Sequence, residues 1–178
     1  MKSSRNKTIS LPLSECGEYL QRCLRPAGPL TAEACRDQVI CGDFFRVAEY
    51  LPDGAFRLLI ADPPYNLRKE YAGEVFAKKN AEEYLAFTRR WLTECRRLLT
   101  PDASVYVCCD WQSSLIIGSV LPEFFTVRNR ITWQREKGRG AKKNWKNCME
   151  DIWFCARIYA STRDYFKFIF LLFQWQVA

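Results

Sequence analysis

The four residues Asp62-Pro63-Pro64-Tyr65 have the types and the order to do chemistry on an amino group. Two successive prolines fix φ at about −65° and carry no N–H, so the turn is stiff and nearby carbonyls stay open to accept hydrogen bonds. Asp62 brings a carboxylate acceptor and Pro63 a backbone carbonyl. Two acceptors side by side match the two N–H bonds of an exocyclic amino group. Accepting both opposes delocalisation of the nitrogen lone pair, which makes the nitrogen more nucleophilic. It also stabilises positive charge as that charge develops. Tyr65 adds an aromatic face for stacking a nucleobase, worth about 1–3 kcal/mol. A base must leave its duplex to reach such a pocket. The plainer reading of Asp-Pro-Pro is a stiff turn that closes a strand.

A second set of residues bears on binding. The chain has 178 residues and a net charge of +7. That excess sits in Arg128 to Cys148, which hold eight Lys/Arg against one Glu, whereas the rest of the chain is balanced. Within Gln134 to Asn147, Arg135, Lys137, Arg139, Lys142, Lys143 and Lys146 are candidate phosphate contacts, with strongly salt-dependent binding expected. Gly138 and Gly140 allow close backbone approach, and Trp145 is placed to wedge or stack. The alternative is a solvated basic loop. Gly138-Arg139-Gly140 does not join a buried strand to a helix, so it is not a nucleotide-binding turn.

Other chemistries are excluded by composition. There is no histidine, which removes Ser-His-Asp and Cys-His nucleophile systems and every His-containing metal site. Nine cysteines, an odd number with no C-x-x-C pair, read as reduced core thiols of a cytoplasmic protein rather than a zinc site. The first residues lack the apolar run of a secretory leader. Phe168 to Val177 (FIFLLFQWQV) is apolar but far shorter than the roughly 20 residues of a membrane-spanning helix.

The elements that must position these residues follow from patterning. Phe56 to Ala61 (FRLLIA) is a continuous apolar run, the mark of a strand buried on both faces of a parallel sheet. It ends at Asp62. Asn80 and Glu83 have capping-box spacing at the start of a helix. Its apolar stripe is Tyr84, Phe87, Trp91, Cys95, Leu98 and Leu99, opposite Arg89, Arg90, Arg96 and Arg97. Pro101-Asp102 ends it. Ala103 to Cys109 is a second buried strand, ending at Asp110, and Ser113 to Val120 is a helix. Phe124 to Trp133 and Asp151 to Ile158 read as strands around the basic loop. Upstream, Leu13 to Leu24 is a short helix, Gln38 to Cys41 a short strand beside Phe56–Ala61, and Phe44 to Leu51 a brief helix. A polar, mobile loop is expected over residues 66–79. Strand–helix alternation implies an α/β sheet with right-handed crossovers, whose ligands bind beyond the carboxyl ends of the strands.

With these residues in hand, the sequence resembles the beta-group bacterial DNA amino-methyltransferases of restriction–modification systems. The resemblance runs from about Val39 to Arg157. It rests on VICGDFF, LLIADPPYN, WLTECRRLL, VYVCCDW and ITWQREKGRGAKKNWKNCMEDIWF. It implies a partial Rossmann-like methyltransferase sheet with helices on both faces, and methyl transfer from S-adenosylmethionine to the amino group of adenine. The form starting with Asp rather than Ser favours adenine over cytosine. The implied mechanism is direct attack of the polarised amine on the sulfonium methyl, without covalent intermediate or metal. The resemblance implies that Asp62, Pro63, Pro64 and Tyr65 hold the target base, and that Asp43, Asp62 and Pro63 approach the cofactor. It places Asn66 and Trp133 with the basic residues on double-stranded DNA carrying a flipped base. The bland alternatives are a helix N-cap for Asp43 and core packing for Trp133.

The resemblance has limits that shape the expectation. The glycine-rich cofactor motif is absent, and roughly half the family pattern is still to come at Ala178. Expected are a polar leader with a short helix over 1–36, a catalytic half over 37–158 and a divergent, patternless apolar tail over 159–178, such as a frameshift or premature stop would leave. The cofactor-side strands would then be missing, with one sheet edge bare. A complementing methyltransferase half or a homodimer is the corresponding partner expectation, and a bacterial cytoplasmic, nucleoid-associated setting the expected location. The competing readings are a non-catalytic DNA-binding remnant and a cytosine amino-methyltransferase.

Overall fold

The computed structural model describes the backbone of residues 13–66, 69–71, 74–139, 147–158 and 170–174, and the side chains of 15–66, 77–135 and 147–158. Four α-helices are described: α1 (Leu13–Gln21), α2 (Phe44–Ala48), α3 (Ala81–Leu98) and α4 (Trp111–Val120). The strands are β1 (Phe56–Asp62), β2 (Lys69–Tyr71), β3 (Glu74–Phe76), β4 (Leu99–Cys109), β5 (Thr126–Arg139), β6 (Asn147–Ala156) and β7 (Phe170–Gln174). Five of them form one mixed sheet in the order β5-β6-β4-β1-β7.

The centre of the sheet is the parallel pair β1 and β4, in register from Leu58↔Ser104 to Ala61↔Val107. Both strands are the apolar runs seen in the sequence. Val105, Val107 and Cys109 are fully buried on one face, whereas Tyr106 and Cys108 on the other are only half-buried. The buried face lies against the helices. α3 contributes Tyr84, Thr88, Trp91, Leu92, Cys95 and Leu98. Full burial of each large apolar side chain contributes about 1.5–3 kcal/mol. α3 starts where the capping box requires: Glu83 N–H donates to Asn80 Oδ1 at 2.9 Å, and Asn80 N–H to Glu83 Oε2 at 3.1 Å. α4 packs onto β6 so closely that a Cβ on Gly118 would stand 2.5 Å from Trp153 Cζ2. The Trp153 indole N–H donates to Ser114 Oγ at 3.1 Å. α2 joins the same layer through Phe45 and Phe87, whose ring centroids are 6.2 Å apart. The described helices that pack against the core therefore form one layer; a second layer on the opposite face is not among the described residues.

The arginines expected on the solvent side of α3 are not idle. Arg97 ties the helix to the turn before β1: its guanidinium pairs with Asp53 and with Glu94 (2.9 Å), and donates to the Ala48 carbonyl at 2.7 Å. Gly54, in that turn, has φ +59° and donates to the Arg97 carbonyl at 3.0 Å. Arg90 lies 3.8 Å above the Phe45 ring.

Four expectations are corrected. The 66–79 stretch contains a small antiparallel hairpin, β2 with β3, rather than being loop throughout. Gln38 to Cys41 is no strand beside β1: Ile40 makes one isolated parallel bridge to Leu24. The supposedly patternless tail supplies β7, which pairs in parallel with β1 from Leu58↔Phe170 to Asp62↔Gln174, so the edge expected to be bare has a neighbour. The basic stretch is not a loop from Gln134 onward. β5 runs on to Arg139 and β6 begins at Asn147 rather than Asp151.

Candidate functional site: a proline corner at the carboxyl end of the sheet

β1 delivers Asp62 to the carboxyl end of the sheet, exposed, while Pro63 is buried and Pro64 and Tyr65 are half-buried. The corner is held from behind by α3 and α4. The Tyr84 phenol donates to the Pro64 carbonyl at 3.0 Å, and the Asn66 N–H donates to Ser113 Oγ at 3.1 Å. Tyr84 is 1% exposed, and burial pushes its phenol up to about 12, against a hydrogen bond from Ser113 that works the other way. In front, Tyr65 is hydrogen-bonded to Asp62. Burial first, then the Asp62 charge and this bond, push the Tyr65 phenol far above its ordinary range, with smaller contributions from Glu150 and Cys108. Tyr65 is therefore neutral and donates its hydrogen bond to Asp62.

The register places further groups on the same side. Cys108 follows Val107, the partner of Ala61, and lies opposite Ile152. Two residues along β6, on the same face, is Glu150, directly opposite Trp133 on β5. Cys108 is pushed up to about 11 by burial and then by the charges of Asp62 and Glu150. Asp62, Tyr65, Cys108 and Glu150 thus form one cluster. Glu150 and Cys108 were not among the candidates read from the sequence; the alternation within Cys148–Phe154 would have put Glu150 on the site face once the strand was extended to Asn147.

Beyond Cys109, the last residue of β4 and the partner of Asp151, β6 pairs with β5 alone among the described residues. The two strands run on together for four residues, roughly 14 Å, as an arm that leaves the sheet at the carboxyl end of β1 and β4, where Asp62 lies. The described part of the basic segment, through Arg139, is carried on this arm. Trp133, at 60% exposure, stands at its base, so the core-packing alternative fails for it. Arg135 pairs with Glu150, Nη1 to Oε1 at 2.8 Å. Lys137 and Arg139 lie within the backbone of β5. Gly140, Lys142, Lys143, Trp145 and Lys146 lie outside the described residues.

Two expected site residues have structural work. Asp43 is the N-cap of α2 and accepts from the Arg46 N–H at 3.1 Å. Asn66 turns its amide onto Lys79: Nδ2 donates to the Lys79 carbonyl, and Lys79 N–H to Oδ1, each at 2.8 Å. It staples the two ends of the hairpin segment. Asp110 likewise caps α4, accepting from the Ser113 N–H at 2.9 Å. Among the described residues no cation pairs with Asp62, no group of three or more Cys, Asp or Glu could hold a metal, and no helix is long and apolar enough to cross a membrane.

The chain is similar to known proteins across this region. It is 30% identical over 117 residues to the type II methyltransferase M.HpaI of Haemophilus parainfluenzae, covering 65% of this chain and 37% of that protein. It is 29% identical over 115 residues to the DNA adenine methyltransferase YhdJ of Escherichia coli, covering 64% and 39%. The chain thus spans less than two-fifths of the length of these relatives. Among solved structures, the PvuII DNA methyltransferase, described as cytosine-N4-specific, superposes with a TM-score of 0.58 at 14% identity over 86% of this chain and 61% of that one. TTHA0409 of Thermus thermophilus, complexed with S-adenosyl-L-methionine, gives 0.53 at 17% identity, over 69% and 54%. These likenesses establish a partial methyltransferase-type Rossmann-like fold. The family model for DNA methylase (N6_N4_Mtase) matches residues 56–172, from the first residue of β1 into β7, and the chain belongs to that family.

Proposed function

We propose that the chain carries the base-holding half of a DNA methyltransferase that moves a methyl group from S-adenosylmethionine to the exocyclic amino group of adenine. The observation that carries this reading is the exposed Asp62 carboxylate in a corner stiffened by two prolines, at the end of the sheet from which the basic arm departs. The Asp62 carboxylate accepts one N–H of the amine and the Pro63 carbonyl the other. Tyr65 steadies the carboxylate and offers its ring to the base. Tyr84 keeps the corner from yielding. These groups are set before the base arrives, so they stabilise charge on the amine without reorganising.

The residues present fit the cofactor in charge. With no cation paired to it among the described residues, Asp62 faces a sulfonium as an uncompensated carboxylate. Asp62, Pro63 and Asp43 would hold it, Asp43 being an acid that also caps α2. When bound, S-adenosylmethionine supplies an electrophilic methyl group. Adenine as target is supported by the similarity to YhdJ.

The arm's Lys137, Arg139, Lys142, Lys143 and Lys146 would hold duplex phosphates, with Trp133 and Trp145 beside the flipped base. The partners are double-stranded DNA near the nucleoid and, for turnover, a complementing half or a second copy. Calorimetric titration with S-adenosylmethionine tests this: saturable binding supports it. The short span relative to the relatives favours one second reading, a DNA-binding remnant. That reading expects salt-sensitive DNA binding and no cofactor heat. Methylation found on cytosine instead of adenine would change the substrate but keep the corner.

A further inference from the structure

We propose that Arg135, although it belongs to the basic run, is not a phosphate ligand: with Glu150 it forms a positioning pair that fixes the base of the arm beside the Asp62 corner. The inference rests on the proposed base-holding role of that corner.

The geometry points inward. Arg135 Nη1 lies 2.8 Å from Glu150 Oε1, and both side chains are less than one-third exposed. Arg135 Nε is buried and has no hydrogen-bond partner among the described residues. A phosphate-binding arginine presents two N–H groups of its planar fork to the ligand. Here one donor is closed off from solvent and another is engaged across the strands. Arg135 and Trp133 are two residues apart on β5, on the face that also carries Glu150, Ile152 and Cys108. Regular pairing of β5 with β6 holds through Gln134↔Met149 and shifts before Arg139↔Asn147. The ion pair therefore sits where the regular ladder ends, and it ties the two strands together at the base of the arm before the register changes.

The pair also sets the charge of the site. Asp62 and Glu150 are two carboxylates on one face, and both push Tyr65 and Cys108 upward. Arg135 offsets Glu150, which leaves Asp62 as the principal negative charge facing an amine. Without the guanidinium, Glu150 would be a half-buried, uncompensated charge. It would compete with Asp62 for the base and repel incoming phosphates.

Two measurements on the full chain test this. The first is duplex-DNA binding by fluorescence anisotropy over a salt series. Lys142→Gln, from the same basic run, is expected to lower the slope of log affinity against log salt by about 0.9. Arg135→Gln is expected to leave the slope unchanged. The second is alkylation of Cys108 by iodoacetamide at pH 9, followed by peptide mass. Arg135→Gln is expected to slow it several-fold, because unpaired Glu150 keeps the thiol protonated. Glu150→Gln speeds it, and Arg135→Gln with Glu150→Gln returns it near the original rate. A role in packing alone would loosen the strand and speed Cys108 in Arg135→Gln. A slope lowered by Arg135→Gln as much as by Lys142→Gln, or a faster Cys108, overturns the proposal. If the unaltered chain shows no salt-dependent binding, the DNA reading fails instead, and the Cys108 rates still decide for or against the ion pair.

Discussion

The Tyr84 hydroxyl donates to the Pro64 carbonyl at 3.0 Å, joining the first turn of α3 to the corner that presents Asp62. The bond crosses twenty residues of sequence and is made by a side chain that is 1% exposed. It explains how a turn at the end of a strand keeps its shape with an exposed carboxylate on it. Removing the hydroxyl in Tyr84→Phe is expected to cost about 1 kcal/mol, read by urea unfolding. An unchanged midpoint would mean that the prolines alone hold the corner.

Asn66 makes two hydrogen bonds to the backbone of Lys79, so it should govern access to the hairpin segment rather than DNA affinity. Asn66→Ala is expected to increase the rate of tryptic cleavage after Lys79 several-fold, since local opening sets proteolysis, with little change in the salt slope of DNA binding. Loss of DNA affinity without faster cleavage would restore Asn66 to the nucleic-acid surface.

Gly118 meets Trp153 at a distance no side chain fits. Gly118→Ala gains up to about 1 kcal/mol of helix propensity, but overpacking costs about 1–3 kcal/mol. It also pushes the indole off Ser114. A lowered thermal midpoint with altered near-ultraviolet dichroism is the expected result; a raised midpoint would show that α4 slides without cost.

Buried thiols make the fold alkali-sensitive. Burial pushes Cys109 and Cys155 up to about 12 from an ordinary 9. The unfolded chain releases these protons first, so between the two values it binds fewer protons than the folded one. Their contribution is fully present below pH 9 and is lost as pH rises towards 12. Cys155→Ala should flatten that limb in urea unfolding from pH 8 to 11. A limb as steep as before would assign the loss to other groups.

Much of the fold was legible because its signals are local. FRLLIA and ASVYVCC are apolar runs that became β1 and β4, covered by helices on one face among the described residues, and Asn80 with Glu83 capped α3 at the residue expected. What was missed depends on pairing across long separations. FLLFQ has the same apolar signature as β1, but nothing near it in sequence says that Leu58 will be its partner. The reach of β5 through GR and of β6 from Asn147 depends on each strand pairing with the other, against a composition that reads as loop. Asp62 and Tyr65 were visible because adjacent residues carry the chemistry. Arg135 was visible only as a basic residue; its partner Glu150 was not, because an ion pair between strands leaves no trace in spacing.

The base-holding role of Asp62 is tested most directly by methyl transfer in a completed enzyme. Residues 56–172 would replace the matching segment of YhdJ, and label from S-adenosyl-[methyl-³H]methionine would be followed into DNA adenine. With Asp62 present, label should appear on the adenine amino group. With Asp62→Ala it should fall by about 100-fold or more while duplex affinity stays close to its original value. Undiminished transfer by Asp62→Ala would contradict the account.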